Sequence, residues 1–359
     1  MYKVFYLDDE KADLIQPIVN KLKSTGELDV KWEKPVAFES ELDSLEGILK
    51  DYNGLFLDLQ LNGDQEDGTK VKYQAPPLAQ TVRTLATEKK IPDIPIFLCS
   101  TDDRIKDSFK RDFTSHDLFD WTFLKNEIGD HTIKKISSII LGYQRIAANL
   151  KDFSKLLERD YASIDNRILS RFINEENPPV HEIARVIFKD IVQPTGVLIN
   201  EDILAARLGI DIKESSNWEI VRDKLFIEAK YKGVFHESWD RWWSDSVSEI
   251  FSDLTRDNLA GLNAEERVAL LLPIVGEKIV AAKPLKFNFS TNYWTVCVVT
   301  KQPIDPYEAF KIDMKSEPKP WQDYNYVSLF ALIERLAERD GVVIHPSEVE
   351  RYSVEIADL

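Results

Sequence analysis

Apolar positions follow two rhythms along the first 128 residues. Compact apolar runs at KVFYLD (3–8), GLFLDL (54–59), PIFLCS (95–100) and WTFLK (121–125), with the alternating LDVKWE (28–33), read as five strands. Between them Leu14, Ile15, Ile18, Val19 and Leu22 recur at helical spacing. Further helical stretches fall around 39–51, near 77–90 behind Pro76–Pro77, and near 103–113. The order β-α-β-α-β-α-β-α-β predicts an α/β domain built on an open, doubly wound, five-stranded parallel sheet. Strands 1, 3 and 4 are apolar enough to be its buried centre.

From His131 to about Asp160 there is no proline, and Ile136, Ile140, Tyr143, Ile146, Leu150, Phe153 and Leu157 recur at a mean step near the heptad value of ~3.5. This predicts one long helix joining two domains, with boundaries at 1–128, 129–160 and 161–359. The last region reads as mainly helical, with helices near 163–174, 181–193, 201–208, 217–230, 238–254, 264–274 and 324–339. Asn200 and Asn263 suit N-cap positions. A small β-hairpin is expected from LKFNFS (285–290) through Thr291–Asn292 to YWTVCVVT (293–300), and VVIHP (342–346) could add a strand.

Charge and composition narrow the function. The chain of 359 residues carries a net −16; residues 1–128 hold 17 Lys and Arg against 25 Asp and Glu, and the other −8 lies in 129–359. Neither half is a basic module, which disfavours nucleic-acid binding. No apolar run is long enough to span a bilayer, and MYKVFYLDDE has neither the basic start nor the cleavage site of a signal peptide. With only Cys99 and Cys297, no disulfide framework or cysteine metal cage is expected, and a cytoplasmic location follows as an expectation.

The chemistry sits where an open parallel sheet places it, outside the carboxyl ends of its strands. Those ends offer Asp8 and Asp9, then Asp58, then Ser100 and Thr101, then Lys125. Three gathered carboxylates repel unless a cation neutralises them, and oxygen-only ligands suit Mg²⁺. A lysine beside them can hold a phosphoryl group as a point charge, and a carboxylate can take up phosphoryl covalently. Alone, Asp8, Asp9 and Glu10 would also fit the acidic first turn of a helix, and Asp58 a loop cap.

Taken in order, VFYLDDE, GLFLDLQL, PIFLCST and FLK resemble the receiver domain of bacterial response regulators over about residues 1–128. That resemblance implies a flavodoxin-like strand order of 2-1-3-4-5. It implies that Asp8, Asp9, Asp58 and the backbone carbonyl of Gln60 hold Mg²⁺, and that Asp58 is the phosphoacceptor of a histidine kinase or phosphotransfer protein. Ser100 would be the switching hydroxyl, with Thr101 the alternative, and Lys125 would pair with the phosphoryl group. The sequence departs from the family at Asn62, where a proline is usual, at Asn126 after the lysine, and at Thr122 in place of an aromatic. About two extra residues also precede Asp67–Gly68.

Residues 161–359 resemble no family. Trp239, Trp242 and Trp243 stand at i, i+3 and i+4, the spacing of a buried helical stripe; Trp and Arg241 together would also suit an interface. His181, His236 and His345 have no metal-ligand spacing, and there is no G-x-S-x-G or Gly-rich phosphate loop. EDILAARLGID (201–211) has the outline of a helix-turn-helix without a basic recognition helix. The leading expectation is a phosphorylation-controlled signalling protein, not an enzyme beyond phosphoryl uptake and loss. Its second domain would act on an unidentified protein partner, and residues 131–160 could form a homodimer contact. A receiver-gated effector enzyme or bacterial defence-system component and a transcription regulator are the rivals; the acidic balance disfavours the latter.

Overall fold

The structure is a computed structural model and describes residues 1–63, 71–101, 117–276, 278–314 and 316–357. The helix expected near 103–113 and the Asp67–Gly68 pair lie outside them. The chain divides into two compact units. Unit 1 is Met1–Phe188 with Gly233–Ser238, and unit 2 is Lys189–Lys232 with Trp239–Leu359.

Unit 1 is built on β1 (Tyr2–Leu7), β2 (Leu28–Glu33), β3 (Gly54–Asp58), β4 (Ile96–Ser100) and β5 (Trp121–Leu124). They form one parallel sheet of order β2-β1-β3-β4-β5, the expected doubly wound α/β arrangement. Alternation along each strand sorts the side chains onto two faces. Phe5, Leu7, Leu55, Leu57, Ile96 and Leu98 join a core with α2 (Phe38–Ile48) and α3 (Ala75–Thr87). Tyr6, Phe56, Phe97 and Phe123 line the other face, where Phe56 makes edge contacts with the three others at 5.1–5.9 Å between ring centroids. The remaining described helix before the sheet closes is α1 (Ala12–Leu22), whose Ile15, Val19 and Leu22 are buried.

After the sheet comes α4 (Asp130–Ala148). The helix expected to run unbroken over 131–160 stops here and resumes only over Phe153–Leu157. The break has a local cause. Asn149 leaves helical geometry and its side chain donates back to the Arg145 carbonyl at 2.8 Å, while Asp152 caps the next helix by accepting from Lys155 N at 3.0 Å. The expected stripe is buried within unit 1: Ile136, Ile140, Ile146 and Leu157 have no exposed surface. A homodimer through residues 131–160 would have to displace what covers it.

Part of that cover is Gly233–Ser238. Gly142 on α4 lies against the Phe235 ring so closely that any Cβ there would collide with it. Ser138 Oγ donates to the Phe235 carbonyl at 3.2 Å, Arg145 pairs with Glu237 at 2.6 Å, and Val234 N donates to Leu156 O at 2.8 Å.

Unit 2 mixes helices with two-stranded pieces of sheet. Asn200 and Asn263 cap helices Glu201–Leu208 and Ala264–Val275 as expected, Asn263 within a full capping box. The tryptophans are buried as expected, but Trp242–Trp243 form a strand paired with Leu198–Ile199, not part of a helical stripe. The expected hairpin at 285–300 is also replaced: Thr295–Val296 pairs instead with Pro303–Ile304, and Thr291 O accepts from Ala264 N at 3.0 Å. Ile344 contributes a single bridge to Ile312 in place of a strand over 342–346.

Candidate phosphoacceptor site

Strand register brings the expected residues to one rim. Leu7 pairs with Leu57, so Asp8 follows β1 level with Asp58 at the end of β3; Asp58 pairs with Cys99, and Ser100 with Leu124, the residue before Lys125. Asp8, Asp9 and Asp58 each offer a carboxylate oxygen within 4.8 Å of the others. Asp8 and Asp58 are fully buried. The Lys125 ammonium touches both, at 2.7 Å from Asp8 Oδ2 and 2.9 Å from Asp58 Oδ1.

Three carboxylates facing one ammonium leave a formal −2, which a divalent cation would neutralise; the donor set is all oxygen, as Mg²⁺ prefers. The residues present therefore fit that ion. Gln60 N donates to Asp58 Oδ2 at 2.9 Å, which places its peptide beside the phosphoacceptor candidate. Ser100 Oγ is buried and has no hydrogen-bond partner among the described residues. An unpaired buried hydroxyl at a strand end is costly unless something arrives to use it. Thr101, its alternative, is exposed.

Electrostatics follow from burial and crowding. Burial, helped by the neighbouring Asp8 charge and opposed by Lys125, pushes the Asp58 carboxyl up to about 6. Burial alone would pull the Lys125 ammonium down, but Asp58 and Asp8 outweigh it and hold it well above its ordinary value. The two directions agree, because one cation serves two buried carboxylates: the lysine gains twice while each acid shares.

Three supporting residues escaped the sequence reading. Tyr6 OH donates to Asp8 Oδ2 at 2.5 Å, and burial holds that phenol protonated. Trp32 Nε1 donates to the Asp8 carbonyl at 3.0 Å. Gly63 N donates to Asp9 Oδ2 at 2.5 Å, and a Cβ on Gly63 would run into that carboxylate. Tyr6 stands two residues before Asp8 on the same strand, so the period-2 rule could have placed the two together. Nothing local in the sequence ties Trp32 or Gly63 to the acidic pair. At the position where the resemblance would place an aromatic, Thr122 is half-buried, while Phe123 packs on Phe56 and Lys135 lies over Trp121 at 5.3 Å.

If this rim holds Mg²⁺ through Asp9, Gly63→Ala should raise the apparent dissociation constant about tenfold by turning Asp9 away, as loss of an outer partner of a metal ligand does. Mg²⁺ titration followed by calorimetry checks this, with an unchanged far-UV circular dichroism spectrum. Unaltered affinity would mean that Asp9 does not ligate.

No protein-family model matches the chain, and no curated protein matches it. Among solved structures it is similar to one from a family of streptococcal redox sensors described as evolved from two-component response regulators. There the identity is 13%, the match covers 56% of this chain and 96% of that one, and the TM-score is 0.31. It is also similar to a response regulator in red-light signalling of R. palustris, at 14% identity, covering 41% of this chain and 93% of that one, with a TM-score of 0.24. No described helix is long and apolar enough to cross a membrane.

Proposed function

We propose that unit 1 is a receiver-type phosphoacceptor module whose Asp58 takes phosphoryl from a histidine kinase or phosphotransfer protein. The observation that carries this reading is the convergence of Asp8, Asp9 and Asp58 on one rim with Lys125 bridging two of them. Asp8, Asp9, Asp58 and the Gln60 carbonyl would hold Mg²⁺. Bound there, the ion supplies positive charge against phosphoryl oxygens.

The chain's own residues divide the remaining work. Asp58 is a nucleophile only as a carboxylate, and a value of about 6 leaves it mostly ionised at neutral pH. An Asp58 carboxylate oxygen attacks phosphorus; the new O–P bond forms as the P–N bond of a phosphohistidine breaks, and the imidazole leaves with that electron pair. Lys125 then pairs with a phosphoryl oxygen, and the orphaned Ser100 hydroxyl donates to another. Uptake and later hydrolysis of this acyl phosphate are the only catalysis assigned to the module. Its added charge of up to roughly −2 is the signal, and unit 2 is the output that acts on a protein partner.

The test is incubation of the full chain with acetyl phosphate and Mg²⁺, followed by intact-mass measurement and peptide mapping. One phosphoryl adduct at Asp58, absent without Mg²⁺, is expected. A chain left unmodified by donors that label other receivers would overturn the proposal.

A further inference from the structure

Unit 2 contains a cleft of about 750 Å³, a size suited to a small organic ligand. In a chain of net charge −16 its lining includes three cations, Arg267, Lys311 and Arg351, against two carboxylates, Asp305 and Glu348. Both carboxylates are committed. Asp305 accepts from Tyr307 N at 2.9 Å and Ser290 Oγ at 2.5 Å, and Glu348 pairs with Arg351 at 2.8 Å.

Two of the cations are not committed in that way. Arg267 is 1% exposed; its Nε and Nη1 donate to the carbonyls of Leu259, Arg207 and Tyr293 at 2.8–3.1 Å. Among the described residues its hydrogen bonds go to carbonyls only, and none comes from Nη2. Burial pulls this guanidinium down to about 10, against the more distant pull of Asp305. Lys311 makes no close ion pair among the described residues; its ammonium lies over the Tyr324 ring at 4.4 Å, and Glu317, the acceptor of the Tyr324 hydroxyl, feels its charge from farther off. Arg267 lines the cleft with its Nη2 donors unused, which suits an anion with two oxygens. The wall beside it is aromatic: Trp294, with the Arg207 guanidinium 4.6 Å from its ring centroid, and Tyr326.

We propose that this cleft binds a small organic anion, a carboxylate or phosphate carried on a flat ring. Arg267 Nη2 and Lys311 take the oxyanion, and Trp294 and Tyr326 flank the ring. All the residues that line it belong to unit 2.

Calorimetric titration of the full chain in Mg²⁺-free buffer tests it, with AMP and benzoate as ringed anions, adenosine and benzamide as their neutral counterparts, and inorganic phosphate alone. Saturable binding of AMP or benzoate below about 1 mM is expected, with the neutral counterpart about tenfold weaker, the scale of one charge-assisted hydrogen bond. Which of the two binds distinguishes phosphate from carboxylate. Lys311→Ala should weaken binding about tenfold while leaving the circular dichroism spectrum unchanged. It stands in for Arg267→Gln, which could unfold by losing its carbonyl partners. The proposal is overturned by no saturable binding of either anion, by equal binding of the neutral compounds, or by an unaffected Lys311→Ala. Inorganic phosphate binding as tightly as AMP would overturn the role of the ring.

Discussion

Asp58→Asn should abolish the phosphoryl labelling proposed for this residue and, in metal-free buffer at pH 8, should make the protein more stable by about 1–3 kcal/mol. The first result follows from loss of the nucleophile. The second follows from the direction of the Asp58 shift. Its carboxyl sits at about 6 in the folded chain, against an ordinary 3.8. The folded state therefore favours the proton more than the unfolded state does, and stability falls as pH rises from about 4 through 6. Above that range the buried, ionised carboxylate carries its full cost, which asparagine lacks. Lys125 keeps Asp8 as a partner, at 2.7 Å, so the substitution does not strand it. Urea melts in EDTA at pH 8 and pH 5 test the sign: the advantage of the variant should shrink at pH 5, where the native carboxyl is largely protonated. A variant less stable than the native chain at pH 8 would mean that the Lys125 attraction outweighs burial.

Arg83→Met should cost about 3–5 kcal/mol, enough to unfold much of a marginal domain. Arg83 on α3 is 6% exposed and pairs with Asp120 at 2.6 Å, just before β5, and with Asp93 at 3.4 Å. It also donates to the Ile94 carbonyl at 3.0 Å. Asp120 in turn accepts from Ile96 N at 2.8 Å and Tyr143 OH at 2.5 Å, and Asp93 accepts from the His181 amide at 3.0 Å. One guanidinium thus neutralises two carboxylates that hold the amino ends of β4 and β5, α4 and the helix Val180–Arg185 together. Methionine fills the space but leaves Asp120 buried without its cation. Arg83→Lys should recover part of the loss, because a point charge can reach Asp120 but not the carbonyl with the same fork. Equilibrium urea unfolding measures both; a loss below about 1 kcal/mol for Arg83→Met would mean that the remaining hydrogen bonds to Asp120 hold these elements without the guanidinium.

The parallel sheet and its acidic rim were legible in the sequence because both depend on local order. A buried central strand has to be apolar along its length, and its carboxyl end has to fall within a residue or two of the last apolar position. Asp8, Asp58, Ser100 and Lys125 could be placed that way. The Arg83 network could not, since Arg83, Asp93, Asp120 and Tyr143 lie on different elements and no periodicity joins them. Tyr143 even read as one more apolar position of a stripe. That stripe showed which face of α4 is buried, but not that unit 1 itself covers it. The break at Asn149 was present as a competing side chain, outweighed by the regular step of the apolar residues around it. Trp239, Trp242 and Trp243 show the limit of short patterns: three positions fit a helical face, yet Trp242 and Trp243 are buried in a strand.

Gly233–Ser238 gives unit 1 an order of assembly. A chain emerging from a ribosome has finished Met1–Phe188 before it can supply Phe235, and Lys189–Lys232 must come out in between. At a synthesis rate of roughly 5–20 residues per second, the last piece of unit 1 arrives several seconds after the rest. During that delay the face of α4 that carries Gly142 lacks its Phe235 cover. A fragment ending at residue 188 would lack Gly233–Ser238 and leave that face of α4 uncovered. Unit 1 is not a cassette of consecutive residues.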